Sequence, residues 1–189
     1  AIALLTTTRL VYANPNYTLN TKFIDVLYEK QNGEYPRLGD LYKQTKVLSG
    51  SGANTRNFIL LGDPAISLAY PKYNVSTSSI SDTIKALETV TITGNVVDDS
   101  GFNLTDFNGV LTPTIFDKEI ISYTLGQESC SPMAYKDQTS IIYKGEVSVV
   151  NGQFSFSFVV PKDIDNNYAS GKISYYAKDN FGNDASGHD

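Results

Sequence analysis

The hydrophobic pattern along the chain changes period partway through. From residue 89 onward it repeats every two residues. Val90, Ile92, Gly94 and Val96 fall on one face, with Thr91, Thr93 and Asn95 on the other. Ile141, Tyr143, Gly145, Val147 and Val149 alternate with Ile142, Lys144, Glu146 and Ser148, and Phe154, Phe156 and Phe158 are separated by serines. Successive side chains of a strand point to opposite faces, so these runs predict half-buried strands. Asn151-Gly152 between the last two runs predicts a tight hairpin, because both central positions of such a turn need positive φ. Residues 172–178 add a strand with Ile173, Tyr175 and Ala177 inward. Shorter strands are expected over 110–116 and 119–124, with Pro113 demoting the first to an edge or bulge. Residues 127–139 are expected to be a loop. With 73–77 as a first strand, the count is about seven, the number for an immunoglobulin-like sandwich.

The earlier part of the chain has the helical period. Leu19, Phe23 and Val26/Leu27 make one apolar stripe, predicting a helix over 18–30 that Gln31-Asn32-Gly33 stops and that Asn14-Pro15-Asn16 precedes as a break. A second helix is expected after Pro36, with Leu38, Leu41, Tyr42, Thr45 and Leu48 on one face and Gly50 past its end. Residues 2–8 and 57–61 flank the two helices and predict strands, the second of them buried on both faces. Strand, helix, helix, strand is the order of an α/β sheet, of which this segment supplies only a part. A boundary is expected between Pro71 and Ser81, giving residues 1–72 and 73–189 as domains.

Composition supports a folded chain: 41% hydrophobic and 19% charged over 189 residues. Charge is uneven, with 8 Lys/Arg against 5 Asp/Glu in 1–72 and 7 against 15 in 73–189. The acidic second part argues against nucleic acid or an anionic membrane as its partner. Cys130 is the one cysteine, so no internal disulfide can form. No run approaches the ~18 apolar residues of a membrane span. Ala1-Ile2-Ala3-Leu4-Leu5 has no basic segment before it and is read as a strand entered midway, making the chain a fragment of something longer.

The chemistry on offer is sparse. Cys130 and His188 form the only possible Cys/His pair, but one sits in an expected loop and the other at an expected frayed end; an incidental thiol and a tail histidine is the preferred reading. Thr6-Thr7-Thr8-Arg9 and Gly62-Asp63-Pro64 end the two α/β strands. Were those strands parallel, Arg9 and Asp63 would share one rim and line a pocket. The plainer reading makes Asp63 a turn builder and Arg9 the start of a loop. Arg56 is expected to be solvated or locally paired. Asp179-Asn180-Phe181-Gly182-Asn183-Asp184 has the composition of a calcium loop but lacks a closing Glu and flanking helices, so a turn is preferred. Asp98-Asp99 and Asp163-Ile164-Asp165 get the same discount. Asn16, Asn74 and Asn103 head N-x-S/T patterns of little weight by themselves. No metal or other cofactor is expected.

The stretch NTRNFILLGDPAISLAYP over 54–71 carries a family resemblance, supported by Leu5-Thr6-Thr7-Thr8-Arg9-Leu10-Val11-Tyr12, Asn151-Gly152-Gln153-Phe154-Ser155-Phe156 and Val160-Pro161-Lys162-Asp163-Ile164. Together they resemble gingipain-type cysteine peptidases (peptidase family C25), closest to the branch that is the sortase of type IX secretion in Bacteroidetes. The resemblance implies an α/β fragment, the end of a caspase-like sheet, followed by an all-β immunoglobulin-like sandwich. It implies a secreted, periplasmic or cell-surface parent that cleaves C-terminal sorting signals from protein substrates at the outer membrane, beside secretion partners. The family's catalytic Cys and His precede the matching segment, so no catalytic residue is assigned here. Strand 1–8 would have lost its sheet neighbour and is expected to self-associate. A reading from another class is a non-enzymatic immunoglobulin-like adhesion or spacer module.

Overall fold

A computed structural model describes residues 3–127, 129–164 and 168–189. The chain divides into two compact units, Ala1–Tyr70 and Pro71–Asp189, and is predominantly β.

The first unit holds strand β1 (Leu4–Thr7), helices α1 (Ala13–Leu27), α2 (Leu38–Leu48) and α3 (Ala53–Asn57), and strand β2 (Phe58–Leu61). Helix α1 starts five residues before the expected Thr18 and runs through the supposed break at Pro15. Proline is harmless there because a first-turn N–H has no intrahelical acceptor to lose. Its apolar stripe buries Leu19 and Val26, and α2 buries Leu38, Leu41 and Thr45. Val26, Leu38 and Leu41 form a small core with Ala3, Phe23, Leu27, Leu60 and Leu68 packed around it. Gly33 does not cap α1. Asn32 and Gly33, at φ 54° and 86°, are the centre of a tight turn closed by reciprocal Gln31–Glu34 backbone bonds. Tyr70 stacks on Tyr35 at 4.0 Å and donates its hydroxyl to the Leu27 carbonyl, tying the end of the unit to the end of α1.

β1 and β2 pair antiparallel, Leu4 opposite Leu61 and Thr7 opposite Phe58. The parallel arrangement considered from the sequence is therefore replaced. β2 is also less covered than its apolar run suggested, with Phe58 buried but Leu61 half exposed.

The second unit contains β3 (Tyr73–Ser79), β4 (Thr89–Val97), β5 (Gly109–Phe116), β6 (Ile120–Tyr123), β7 (Ala134–Asp137), β8 (Ile141–Lys144), β9 (Val147–Val149), β10 (Gln153–Val159), β11 (Lys172–Asp179) and β12 (Asp184–His188). Eight of them form one sheet in the order β10-β4-β3-β12-β11-β5-β8, with β9 also on β5; β6 and β7 make a separate hairpin. β3 is the link, antiparallel to β4 and parallel to β12. β9 turns directly into β10 through Asn151-Gly152, at φ 52° and 73°, so the sheet is nearly closed. The alternation read from the sequence is the burial pattern observed: Val90, Ile92, Val96, Phe154, Phe156, Phe158, Ile173, Tyr175 and Ala177 all face one core. Tyr143 stacks over Phe156 and Phe158 at 5.6 and 4.8 Å. Gly94 leaves the space that the Phe154 ring fills, and a Cβ there would collide with it.

Three expectations change. Pro113 is not on an edge, since β5 lies between β11 and the β8/β9 pair. Its carbonyl accepts the Gly145 N–H, so its ring nitrogen faces the break between β8 and β9, where a missing donor costs no ladder bond. The strand expected across 141–149 is split at that same break. Part of the 127–139 loop is β7, paired with β6 from Ile120–Asp137 to Tyr123–Ala134.

Candidate functional site

Asp63 is a turn residue. Its Oδ1 accepts the Ala65 N–H at 2.8 Å, folding Gly62-Asp63-Pro64 into a tight bend with Gly62 at φ 145°. The bend then serves α2: the Pro64 and Ile66 carbonyls accept the Gly39 and Leu38 N–H groups at 2.9 and 2.8 Å, occupying donors that a helix start leaves open. Gly39 permits the approach, since a Cβ there would lie 2.8 Å from Pro64 Cβ. Beside it, Arg37 Nε donates to Asp40 Oδ2 at 2.9 Å; this hydrogen bond and the guanidinium charge hold Asp40 below the usual carboxylate range and raise Arg37.

Arg9 lies at the other end of the ribbon. With Thr7 opposite Phe58 and Leu4 opposite Leu61, the residue after Thr8 and the residue after Gly62 leave from opposite ends. Arg9 and Asp63 therefore do not share a rim. Arg9 instead leaves from the end of the ribbon at which α3 closes with Arg56, the charge the sequence read as solvated or locally paired. Thr8 donates its N–H and hydroxyl to the Asn57 carbonyl at 2.9 and 3.1 Å. Lys46 is at this end too, its Nζ 3.1 Å from the Phe58 carbonyl and 3.0 Å from the Tyr42 hydroxyl.

Cys130 is exposed in the connection between β6 and β7. His188 is not on a frayed tail: it lies in β12 opposite Ser174, and Asp189 exchanges both backbone bonds with Ile173. Cys130 thus belongs to the β6–β7 hairpin connection and His188 to a strand of the eight-stranded sheet.

The Asp179 loop is a hairpin turn between β11 and β12. Asp179 Oδ1 accepts the Phe181 and Asn183 N–H groups at 2.9 and 2.7 Å, and Oδ2 accepts Asn183 Nδ2 at 2.6 Å. Burial opposes its ionisation, but the bonds from Asn183, Phe181 and Gly182 prevail and hold it below the usual carboxylate range. Its oxygens are engaged by the turn. Asp98 does the same for the Ser100 and Phe102 N–H groups at 2.8 and 3.0 Å. Asp165 lies outside the described residues. Among the described residues no group of three or more His, Cys, Asp or Glu side chains converges as a metal site. A cavity of about 620 Å³ opens in the second unit between Ile80, Ile115, Ile142, Ile173 and Tyr168, with the nearly buried Lys118 on its wall.

Residues 1–69 match the family model of peptidase family C25. The resemblance to C25 peptidases expected from the sequence is thus borne out over the first unit. The whole chain is similar to dimeric latent PorU from Porphyromonas gingivalis, at 26% identity over 99% of this chain and 19% of that one, with a TM-score of 0.59. The chain thus spans about a fifth of that protein's length. Spo0M, a sporulation control protein from Bacillus subtilis, shares 15% identity over 64% of this chain and 48% of its own, at a TM-score of 0.37. No curated protein matches.

Proposed function

We propose that the chain is the closing part of a caspase-like peptidase domain plus the immunoglobulin-like sandwich that follows it, from a gingipain-like cysteine endopeptidase of the branch that serves type IX secretion as its sortase. One coincidence carries the reading. The C25 match stops at residue 69, against the boundary at Tyr70 and Pro71 between the two units, while the similarity to PorU continues across both. Strand pairing favours an immunoglobulin-like second unit. β4 with β10 corresponds to the B–E pair of that fold, and β5-β11-β12 to its C-F-G sheet. β3 bridges the two by pairing with β4 on one side and β12 on the other.

In this reading the intact protein cleaves C-terminal sorting signals from cargo proteins at the outer membrane. A cysteine thiolate supplied by the preceding part of the domain attacks the scissile carbonyl, and a histidine protonates the departing amine, leaving a thioester. A nucleophile on a surface anchor then displaces the sulfur. The first unit contributes sheet and helices beside that centre, with no catalytic residue of its own. The same reading makes the protein a secreted, periplasmic or cell-surface protein of a Bacteroidetes-like bacterium. Among the described residues no helix is long and apolar enough to cross a membrane.

The test starts upstream. The parent sequence should contain a strand ending in His and a later one ending in Cys, and the isolated chain should not hydrolyse peptides, with Cys130→Ala changing nothing catalytic. Capture of a peptidyl inhibitor by Cys130 would sink the reading. Self-association belongs to the same proposal. β1 pairs only with β2 among the described residues, and its Leu4 is exposed. An unpaired edge of this kind recruits another strand. Light scattering of the isolated chain should therefore show dimers or larger; a monodisperse monomer at high concentration counts against it.

A further inference from the structure

Among the described residues, the guanidiniums of two arginines of the first unit meet no anion. Arg9, just past β1, and Arg56, at the end of α3, are both exposed, and among the described residues neither guanidinium has a hydrogen bond or ion pair. The chain path sets them side by side. Thr8 is bonded to Asn57 at one end, and the Tyr12 N–H is bonded to Asn54 Oδ1 at 3.2 Å at the other, so residues 8–12 run along α3 in the opposite direction. Arg9 and Arg56 each lie one residue from the Thr8–Asn57 bond. Their Cα atoms are therefore within about 13 Å, close enough for two side chains of this length to converge on one group.

The surroundings carry one sign. Residues 1–24 and 41–62 contain no Asp or Glu, and Lys46 adds a third cation at this end. The acids of the unit are elsewhere. Asp25 pairs with Lys22, Asp40 with Arg37, and Asp63 is held in the bend at the far end of the ribbon. Glu29 and Glu34 follow the C-terminal end of α1. A solvated surface normally intersperses the two signs; this end of the unit does not.

We propose that Arg9 and Arg56 together form a carboxylate-binding site that takes an acidic stretch of peptide. A guanidinium is a flat fork that accepts a carboxylate through two parallel N–H···O bonds, and it stays charged at every physiological pH. Two of them suit one or two carboxylates spaced along a chain. Nucleic acid, which is bound through many phosphate contacts along its length, is a poorer match to a site of two guanidiniums. The site does not rest on the peptidase reading, and binding is measured on this chain directly.

The experiment is fluorescence anisotropy of a labelled hexapeptide rich in Asp and Glu, its Asn/Gln counterpart, and inorganic phosphate as competitor, titrated with the 189-residue chain. Saturable binding of the acidic peptide alone is expected, weakening as salt rises. Arg9→Gln and Arg56→Gln should each weaken it about tenfold. Arg9→Lys and Arg56→Lys, which keep charge but lose the fork, should fall between, and Lys22→Gln should match the unaltered chain. Circular dichroism confirms that each variant is folded. The proposal is overturned by absence of saturable binding, by equal binding of the neutral peptide, by glutamine variants that bind as well as the unaltered chain, or by phosphate binding as tightly as the peptide.

Discussion

Single residues decide the local geometry in both units, and their contributions separate by pH. Tyr175 is fully inside, its hydroxyl 2.9 Å from Thr77 Oγ1, and burial raises its pKa above that of a free tyrosine. A folded-state pKa above the unfolded one means a contribution present below about pH 10 and lost as pH climbs through the raised value. Stability of the second unit should therefore fall at alkaline pH, and Tyr175→Phe should flatten that fall in urea melts taken across the range. Asp179 has the opposite sign. Its folded pKa is depressed, so its contribution is present above about pH 4 and disappears as acid protonates it. Asp179→Asn should remove part of the acid sensitivity. Tyr175 was legible as an inward residue of its strand and the Asp179 loop as a turn, but not the bonds each makes: Asp179 has the same oxygen-rich company in a turn as in a calcium loop, and only the amide directions tell the two apart.

At the scale of elements, what the sequence carried depended on how much of each element is buried. β4 and β10 were legible because every second residue is apolar and reaches the core, and the serines opposite are exposed. Truncating Phe156 to Ala, in the middle of that stack, should cost on the order of 3–5 kcal/mol in chemical denaturation. Gly152→Ala should also destabilise, since Gly152 holds φ 73° and a Cβ would meet the Leu104 carbonyl. β7 and β12 were not legible. Ala134 to Lys136 are exposed, and β12 is Asp-Ala-Ser-Gly-His with only Ala185 fully buried, so no alternation records either strand. Both are held by backbone pairing, which leaves no trace in side-chain type. The direction of β1 against β2 was hidden for the same reason. An apolar run specifies a strand and says nothing of whether its neighbour is parallel, and that direction separates Arg9 from Asp63 and brings it to Arg56.

For the whole molecule, the two units carry different burdens. The second has an extensive core of its own, and a chain starting at Tyr73 should fold alone, judged by circular dichroism and dispersed amide resonances; an unfolded spectrum would refute that independence. The first buries few apolar side chains and leaves Leu10, Tyr12, Tyr17, Ile24 and Tyr28 exposed, the pattern of a unit that supports or meets something else. That asymmetry fits a scaffold whose chemistry is supplied from outside these residues. The most direct measurement is active-site labelling of the full-length parent with a thiol-reactive peptidyl probe, mapped by mass spectrometry. The label should fall on a cysteine that precedes this segment, with Cys130 unmodified and Cys130→Ala labelling as before. A label on Cys130 that Cys130→Ala abolishes would contradict the account.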